Sequence, residues 1–335
     1  MSLDLNNAVV VITGASSGIG QATAEAFARR GSKVVLAARN GEALDKVAQA
    51  CKCIGGDAIS VVTDVIDPAA VRALAEKANA LGRIDVWVSN VGVGAVGRFE
   101  ETPIEAHEQV IRANLIGHMN DAHAVLPIFL KQGRGTFINM ISLGGFAAAP
   151  FATAYSASKF GLRGFSEALR AELADKPNIR ICDIYPAFVD TPGLSHGANY
   201  VGRRVSAPPP VLDARRVAEA VVKVAISPRA TTTVGAVTTA TRLAHLLAPN
   251  LSARVLGRLM AAYFERAPRI AESDGNLYRP SSDAARIDGG LRSQHRLSAP
   301  LLLGLTALAA VALGATVASR ISRPRRGPSS SHWLS

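Results

Sequence analysis

The sequence predicts an α/β fold in which one domain is built around a doubly wound parallel sheet. Through the first half of the chain, short runs rich in β-branched residues alternate with longer Ala-rich amphipathic stretches. This alternation is typical of parallel strands joined by crossover helices. A glycine-rich segment at the junction of the first strand and the first helix also favours this fold class.

Periodicity places the individual elements of this domain. Short apolar runs predict strands at residues 9–13, 33–38, 59–63, 84–90, 135–141 and 179–185. Apolar residues three and four apart predict helices at 21–30, 69–81, 155–174, 213–226 and about 240–267. Between them, residues 192–210 lose the pattern and contain a Pro-Pro-Pro run, which predicts a long loop of the kind that often covers a ligand.

The chain divides into four predicted parts. Residues 1–270 form the α/β domain, with a helical extension from about 240, and residues 271–299 form a polar linker. Residues 300–319 form a candidate transmembrane helix, because 301–319 is a run without charge. A helix buried in an oligomer interface, or a flexible segment, is the alternative. Residues 320–335 form a basic polar tail.

Composition narrows the function classes. The net charge of +11 comes from scattered arginines without an aromatic platform, so we expect a membrane surface and no nucleic acid as partner. The three cysteines, Cys51, Cys53 and Cys182, lack the spacing of a metal site, and no metal is expected. The polar start of the chain does not resemble a signal peptide, which predicts a reduced, cytosol-facing domain.

The glycine-rich segment reads Thr13-Gly14-Ala-Ser-Ser-Gly18-Ile-Gly20. Glycines allow a backbone to approach a pyrophosphate closely, and a helix N-terminus offers free N–H groups to it. The predicted contacts with a dinucleotide are Gly14, Ser16, Ser17, Gly18, Ile19 and Gly20. The spacing resembles the T-G-x-x-x-G-x-G motif of the short-chain dehydrogenase/reductase family, in its single-domain branch, and the resemblance covers about residues 5–230.

Tyr155 and Lys159 form a Y-x-x-x-K motif. Residues four apart lie on one face of a helix, so the phenol and the ammonium group point to the same place. A nearby cation stabilises a phenolate, and we therefore expect Lys159 to lower the pKa of Tyr155 from its usual value of about 10. Tyr155 is the predicted general acid and base.

The resemblance implies two further catalytic residues and several cofactor contacts. Ser142 matches the family serine that hydrogen-bonds the substrate carbonyl, and Asn114 matches the asparagine that holds a water near the lysine. Tyr155 and Lys159 also match residues beside the nicotinamide ribose. The other matching cofactor contacts are Asp64 and Val65 near the adenine, the structural Asn90, and Pro186, Val189 and Thr191 near the nicotinamide.

Cofactor choice depends on the end of the second strand. An acid there would bind the free 2′-hydroxyl of NAD, but the chain has Ala38 followed by Arg39. A guanidinium group pairs well with the 2′-phosphate of NADP, so Arg39 favours NADP(H), with NAD possible. The alternative is that Arg39 is a solvated turn residue.

The predicted function is an NADP(H)-dependent oxidoreductase that interconverts a carbonyl and an alcohol, on an apolar substrate supplied near a membrane. The catalytic domain is expected to face the cytoplasm, anchored by the C-terminal helix, and the resemblance implies a homo-oligomer. The rival hypothesis is a catalytically idle dinucleotide-binding sensor or scaffold at a membrane. Loss of a catalytic residue would favour the rival, and all four are present.

Overall fold

The computed structural model describes residues 3–281 and 285–294. Its centre is a seven-stranded, all-parallel sheet with the order β3-β2-β1-β4-β6-β7-β11. These strands are β1 (Val9–Thr13), β2 (Lys33–Ala38), β3 (Asp57–Val62), β4 (Val86–Ser89), β6 (Gly135–Met140), β7 (Ile179–Pro186) and β11 (Thr231–Val234). The predicted doubly wound parallel sheet is confirmed.

Helices cover both faces of the sheet. They are α1 (Gly18–Ala28), α2 (Gly41–Cys53), α3 (Pro68–Asn79), α4 (Ile104–Ile111), α5 (Gly117–Gln132), α6 (Thr153–Glu172) and α8 (Ala214–Ile226). Successive side chains of β1 enter two different cores. Val10 and Ile12 pack with α1, α2 and α8, whereas Val9 and Val11 pack with α3 and α5. Because both faces are covered, the strands are continuously apolar rather than alternating.

Smaller elements cluster at the edge of the sheet where the strands end. They are the short strands β5 (Ala95–Val96), β8 (Val189–Asp190), β9 (Ala198–Asn199) and β10 (Leu212–Asp213), and the helical turn α7 (Gly193–His196). The strands pair as β5 with β9 and β8 with β10. These pairs give the predicted 192–210 loop a defined path across the edge.

Two features of the domain differ from the sequence prediction. The edge strand β11 was not expected, because its sequence Thr-Thr-Thr-Val carries little apolar signal. The predicted helix at 240–267 is two helices, α9 (Ala236–Leu247) and α10 (Pro249–Arg266). Pro249 has no N–H with which to continue the preceding helix, but it is well suited to the first turn of a new one.

The chain after α10 returns to the domain. The described residues of the predicted 271–299 linker lie along the edge where the strands end, and α11 (Leu291–Gln294) stands at their end. Among the described residues, no helix is long and apolar enough to cross a membrane. The predicted transmembrane helix at 300–319 and the basic tail at 320–335 lie outside the described residues.

Candidate active site

The carboxyl ends of the central strands position the candidate site. In a parallel sheet these ends share one edge, and a ligand binds in the crevice outside them. β1 ends at Thr13, β4 at Ser89, β6 at Met140 and β7 at Pro186. The segments that follow these residues contain the predicted glycine loop, Asn90, Ser142 and Val189, so the topology brings them to one edge.

The glycine loop has the backbone geometry that its sequence requires. Gly14 and Gly18 adopt left-handed φ values of 65° and 55°. A Cβ atom on Gly20 would lie 2.0 Å from the Gly14 carbonyl oxygen, so only glycine allows this approach of strand and helix. Ser17 is the N-cap of α1 and makes no side-chain capping bond. Ser16 and Ile19 are half-buried in the same loop.

Ser142 follows β6 in an unusual conformation. Its φ of 144° lies outside the regions that residues with a side chain ordinarily adopt. Its Oγ accepts a hydrogen bond of 3.1 Å from the Gly144 backbone N–H. A Cβ atom on Gly144 would lie 3.7 Å from this Oγ and 3.2 Å from Tyr155 Cε1, so the hydroxyl lies beside the tyrosine ring. Backbone strain of this kind costs about 1–3 kcal/mol and concentrates at functional sites.

Tyr155 and Lys159 lie in the first two turns of α6 and face the end of β6. The Lys159 Nζ atom lies 5.8 Å from the centre of the Tyr155 ring. It donates a hydrogen bond of 3.1 Å to the Met140 carbonyl oxygen. Lys159 is 2% exposed, so an ammonium group is held out of water beside the phenol. The structure thus brings Ser142, Tyr155 and Lys159 together.

The acidities of these groups differ from the sequence expectation. Burial raises the pKa of Tyr155, and the nearby Ser142 hydroxyl opposes this rise only in part. Burial also lowers the pKa of Lys159 to about 7. The expectation that Lys159 lowers the tyrosine pKa is therefore wrong for this structure. Burial disfavours the charged forms of both groups, the phenolate and the ammonium ion.

Asn114 lies in a π-helical turn at Arg112–Ile116, between α4 and α5, and contacts Ser158, the residue before Lys159. Turns of this type are frequent at functional sites. The Asn114 side chain is fully buried and bonds both backbone groups of Val93, with two distances of 2.8 Å. Its Nδ2 also donates to Ser158 Oγ at 3.3 Å. These contacts attach the segment after β4 to α6, on which the catalytic pair stands.

The remaining predicted cofactor contacts border the same crevice. The Asn90 amide donates to the carbonyl oxygens of Thr13 and Gly14, which joins the ends of β1 and β4. Asp64 Oδ1 accepts from the Ile66 N–H, and the carbonyl of the buried Val65 accepts from Asn120.

The loop after β7 lies on the other side of the glycine loop. Pro186 closes β7, and Val189 pairs with Leu212 in the short two-stranded ladder. A Cβ atom on Gly18 would lie 3.1 Å from the Thr191 side chain, which shows how closely the two loops approach.

Arg39 is placed at the expected strand end but bonds the protein itself. Its guanidinium group donates to three consecutive carbonyl oxygens, those of Asn276 at 2.7 Å and of Leu277 and Tyr278 at 3.3 Å. A turn residue exposed to solvent would not show these bonds. The sequence did not indicate them, because the segment that supplies the carbonyls has the composition of a linker.

Two buried polar residues on α5 support the site and were not singled out from the sequence as site residues. Asp121 is fully buried and accepts hydrogen bonds from Thr13 Oγ1 at 2.9 Å and Ser89 Oγ at 2.6 Å. Burial raises its pKa to about 7. His118 lies between Asn139 and the Val91 carbonyl, and burial, together with Lys159, lowers its pKa to about 4. Only their spacing along one helix face could have indicated such a pair.

No group of three His, Cys, Asp or Glu side chains suited to a metal ion occurs within residues 3–281 and 285–294. All three cysteines are free thiols. The reactive groups that the structure brings together at this edge are the hydroxyls of Ser142 and Tyr155 and the amine of Lys159.

A doubly wound sheet with a glycine loop, and with a serine, a tyrosine and a lysine at its carboxyl edge, defines a dinucleotide-dependent oxidoreductase. A sequence model described as short chain dehydrogenase matches residues 8–198. The uncharacterized oxidoreductase YxnA of Bacillus subtilis (strain 168) is 32% identical over 328 residues, 91% of each chain. The chain therefore belongs to the short-chain dehydrogenase family and is an NAD(P)-dependent oxidoreductase.

Solved structures agree with this assignment. An alcohol dehydrogenase from Thermococcus sibiricus, complexed with 5-hydroxy-NADP, is 28% identical with a TM-score of 0.60, over 68% of this chain and 95% of that one. A short-chain dehydrogenase/reductase from Burkholderia phymatum, in complex with NAD, is 27% identical with a TM-score of 0.63. It matches 81% of this chain and 99% of its own. The fold is thus shared well beyond the sequence motifs.

Proposed function

We propose that the protein is an NADP(H)-dependent carbonyl reductase or alcohol dehydrogenase that acts on an apolar substrate. The observation that carries this proposal is the convergence of Ser142, Tyr155 and Lys159 at the end of β6, next to the glycine loop. The relatives of known structure that contain NADP-type or NAD cofactors support a nicotinamide dinucleotide. Arg39 at the end of β2 supports NADP over NAD.

The residues present fit such a cofactor. The left-handed Gly14 and Gly18 and the absence of a Cβ on Gly20 give the loop the backbone geometry that close approach of a pyrophosphate requires. Val65 and Asp64 would hold the adenine end, and Val189 and Thr191 the nicotinamide end. When bound, NADPH supplies the hydride for the carbonyl carbon.

The chain's own residues supply the proton and the orientation. Ser142 Oγ donates a hydrogen bond to the carbonyl oxygen and orients it for attack. Tyr155 donates its phenolic proton to that oxygen as the bond order falls. The raised tyrosine pKa keeps the phenol protonated before the reaction, and the Lys159 ammonium group stabilises the phenolate that remains. In the oxidative direction the same groups act in reverse.

The surroundings of Tyr155 support an apolar substrate. The ring packs against a buried cluster that includes Val93, Ala95, Ala154 and Ala198. An apolar lining favours an apolar substrate, because burying a hydrophilic one without hydrogen-bond partners is unfavourable. The proposed substrate is therefore an aldehyde, ketone or alcohol with a long apolar body.

We also propose the assembly and location that the sequence indicates. Large apolar side chains on α4, the π-helical turn, α5 and α6 are exposed in the single chain, among them Ile104, Ile116, Met119 and Phe160. A homo-oligomer that buries this surface is the proposed state, and light scattering on the purified protein tests it. Membrane association through the segment at 300–319, with the catalytic domain in the cytoplasm, is tested by fractionation and protease accessibility.

The proposed activity is tested with the full chain purified in mild detergent. NADPH absorbance is followed with ketones and aldehydes that range from short and polar to long and apolar, with NADH in parallel. Rates that rise with apolar chain length and fall in Ser142→Ala are expected. Dinucleotide binding without turnover of any carbonyl would contradict the proposal and would favour the idle sensor or scaffold.

A further inference from the structure

The segment after α10 crosses the whole predicted dinucleotide site. We call residues 268–281 and 285–292 the C-terminal strap. It starts beside the loop that follows β9, where Arg269 bridges Arg203, and Ser273 then bridges Asn199 of β9. Asn276 donates its N–H to the carbonyl of His196, the last residue of α7, at 2.7 Å. The strap then reaches the end of β2, and its second part reaches the glycine loop and β8.

The strap bonds the groups that would bind phosphates. Its carbonyls at Asn276, Leu277 and Tyr278 surround the Arg39 guanidinium group, and the Ser281 carbonyl accepts from the Asn40 side chain at 2.9 Å. Further along, the Gly18 backbone N–H donates to the Arg286 carbonyl at 2.9 Å. Gly18 is a predicted pyrophosphate contact, so this N–H has a protein acceptor where a phosphate oxygen is expected.

The strap also packs beside both ends of the predicted dinucleotide site, the adenine end and the nicotinamide end. Leu277 is fully buried in an apolar cluster with Val110 and Ala113, and Ile66, the residue after Val65, packs against this cluster. At the opposite end, a Cβ on Gly289 would lie 2.4 Å from the Thr191 carbonyl oxygen, so the two backbones are in direct contact.

A cluster of charges holds the second part of the strap. Asp190 is 2% exposed, and its carboxylate accepts from the N–H groups of Gly289, Leu291 and Arg292. The Arg292 guanidinium group also bonds Asp190, Asp213 and Asp288 at 3.2, 2.6 and 2.8 Å. A carboxylate that accepts several backbone bonds is strongly held, so this anchor is specific rather than a loose surface contact.

We propose that the C-terminal strap is an internal competitor of the dinucleotide, which binds with full affinity only after the strap has left Arg39 and Gly18. This inference rests on the proposed NADP(H) function. One backbone N–H cannot make full hydrogen bonds to a carbonyl and a phosphate at once, and three carbonyl oxygens around Arg39 repel an anionic group. When only a small fraction of a protein is in the conformation that binds a ligand, the apparent affinity is reduced in proportion to that fraction.

The test compares full-length chains that hold the strap with different strength. Leu277→Ala removes the buried side chain, and Arg292→Gln weakens the anchor while it leaves the dinucleotide contacts intact. Leu246→Ala is the matched control, because Leu246 on α9 is 76% exposed and far from the strap in sequence. NADPH affinity is measured by the fluorescence of the bound nicotinamide, and circular dichroism verifies that each variant is folded.

We expect both strap variants to bind NADPH about tenfold more tightly, because a buried leucine contributes strongly to the closed state. The control should bind like the wild type. In hydrogen exchange, saturating NADPH should accelerate exchange in peptides from 270–281 and 285–292 and slow it in the glycine loop. If Leu277→Ala fails to fold, the NADPH affinity of Arg292→Gln and the hydrogen exchange of the wild type test the proposal.

Two results would overturn the inference. The first is equal or weaker NADPH binding by the strap variants, with NADPH slowing exchange in the strap, which would make the strap a cover that closes over bound cofactor. The second is no binding of NADPH or NADH by any chain. Tighter binding by the variants without turnover of any carbonyl would support the competitor and refute only the proposed enzymatic function.

Discussion

Arg39 offers the sharpest test of cofactor choice, because the strap carbonyls and the 2′-phosphate of NADP(H) would compete for its guanidinium group. In the structure it bonds three strap carbonyls, at 2.7, 3.3 and 3.3 Å. With NADP(H) it is expected to bind the 2′-phosphate. Arg39→Ala removes both sets of bonds, but the loss of the strap bonds affects NADPH and NADH equally. The ratio of the two dissociation constants therefore isolates the phosphate contact.

The size of the effect follows from the kind of bond that is lost. A hydrogen bond to a charged group contributes about 1.5–3 kcal/mol, so the preference for NADPH over NADH should fall about 10- to 150-fold. NADH itself should bind as tightly as before or more tightly, because the variant loosens the strap.

Titration of NADPH and NADH against the same preparations gives the ratio. Arg29→Ala is the control, since Arg29 forms only a surface ion pair of 3.6 Å with Glu25. An unchanged ratio in Arg39→Ala would refute the assignment of Arg39 to the 2′-phosphate and would leave it with a structural role in holding the strap.

Three further predictions concern the buried supports of the site. Arg170→Met should lower the free energy of unfolding by about 3 kcal/mol in urea denaturation, because the fully buried Asp183 loses its charged partner at 3.0 Å and keeps only neutral hydrogen-bond donors such as Tyr185; a change below about 1 kcal/mol would contradict this. Asp121→Asn should change the pH dependence of stability. The folded-state pKa of Asp121 is about 7, above its unfolded value, so the wild type loses stability as pH rises from about 4 to 7, by at most about 1.4 kcal/mol per pH unit, and the variant should lack this slope. If the free energy of unfolding depends on pH in the same way in both proteins, the raised pKa of Asp121 is refuted. Gly20→Ala should abolish dinucleotide binding, because its Cβ would lie 2.0 Å from the Gly14 carbonyl oxygen, and a folded variant with wild-type affinity would contradict the close approach.

Much of the fold follows from local sequence signals. The central strands are buried on both faces, so their apolar runs are unbroken and easy to recognise. The spacing of Tyr155 and Lys159 places both on one helix face whatever the tertiary structure. The strand β11 was missed because an edge strand needs less apolar sequence, and the register with β7 that stabilises it is a tertiary property.

The features that the sequence did not indicate depend on long-range contacts. The strap has a polar, Ser/Gly/Asp/Arg-rich composition, and its order comes from Arg39 and Asp190, which lie far away in the chain. The predicted lowering of the Tyr155 pKa was wrong, because the spacing shows only that the two side chains are neighbours. Their burial determines how strongly each charged form is disfavoured. Local patterns thus locate the reacting groups, but the surrounding contacts determine their state.

The central claim is that Tyr155 transfers the proton in carbonyl reduction. Its most direct test is the rate of NADPH oxidation with the best carbonyl of the panel, in the wild type, in Tyr155→Phe and in Tyr263→Phe as a matched loss of a hydroxyl. The account predicts a fall of about 10²- to 10⁴-fold in Tyr155→Phe with NADPH binding retained, and little change in the control. A Tyr155→Phe enzyme that still binds NADPH and reduces the carbonyl at the wild-type rate would contradict it.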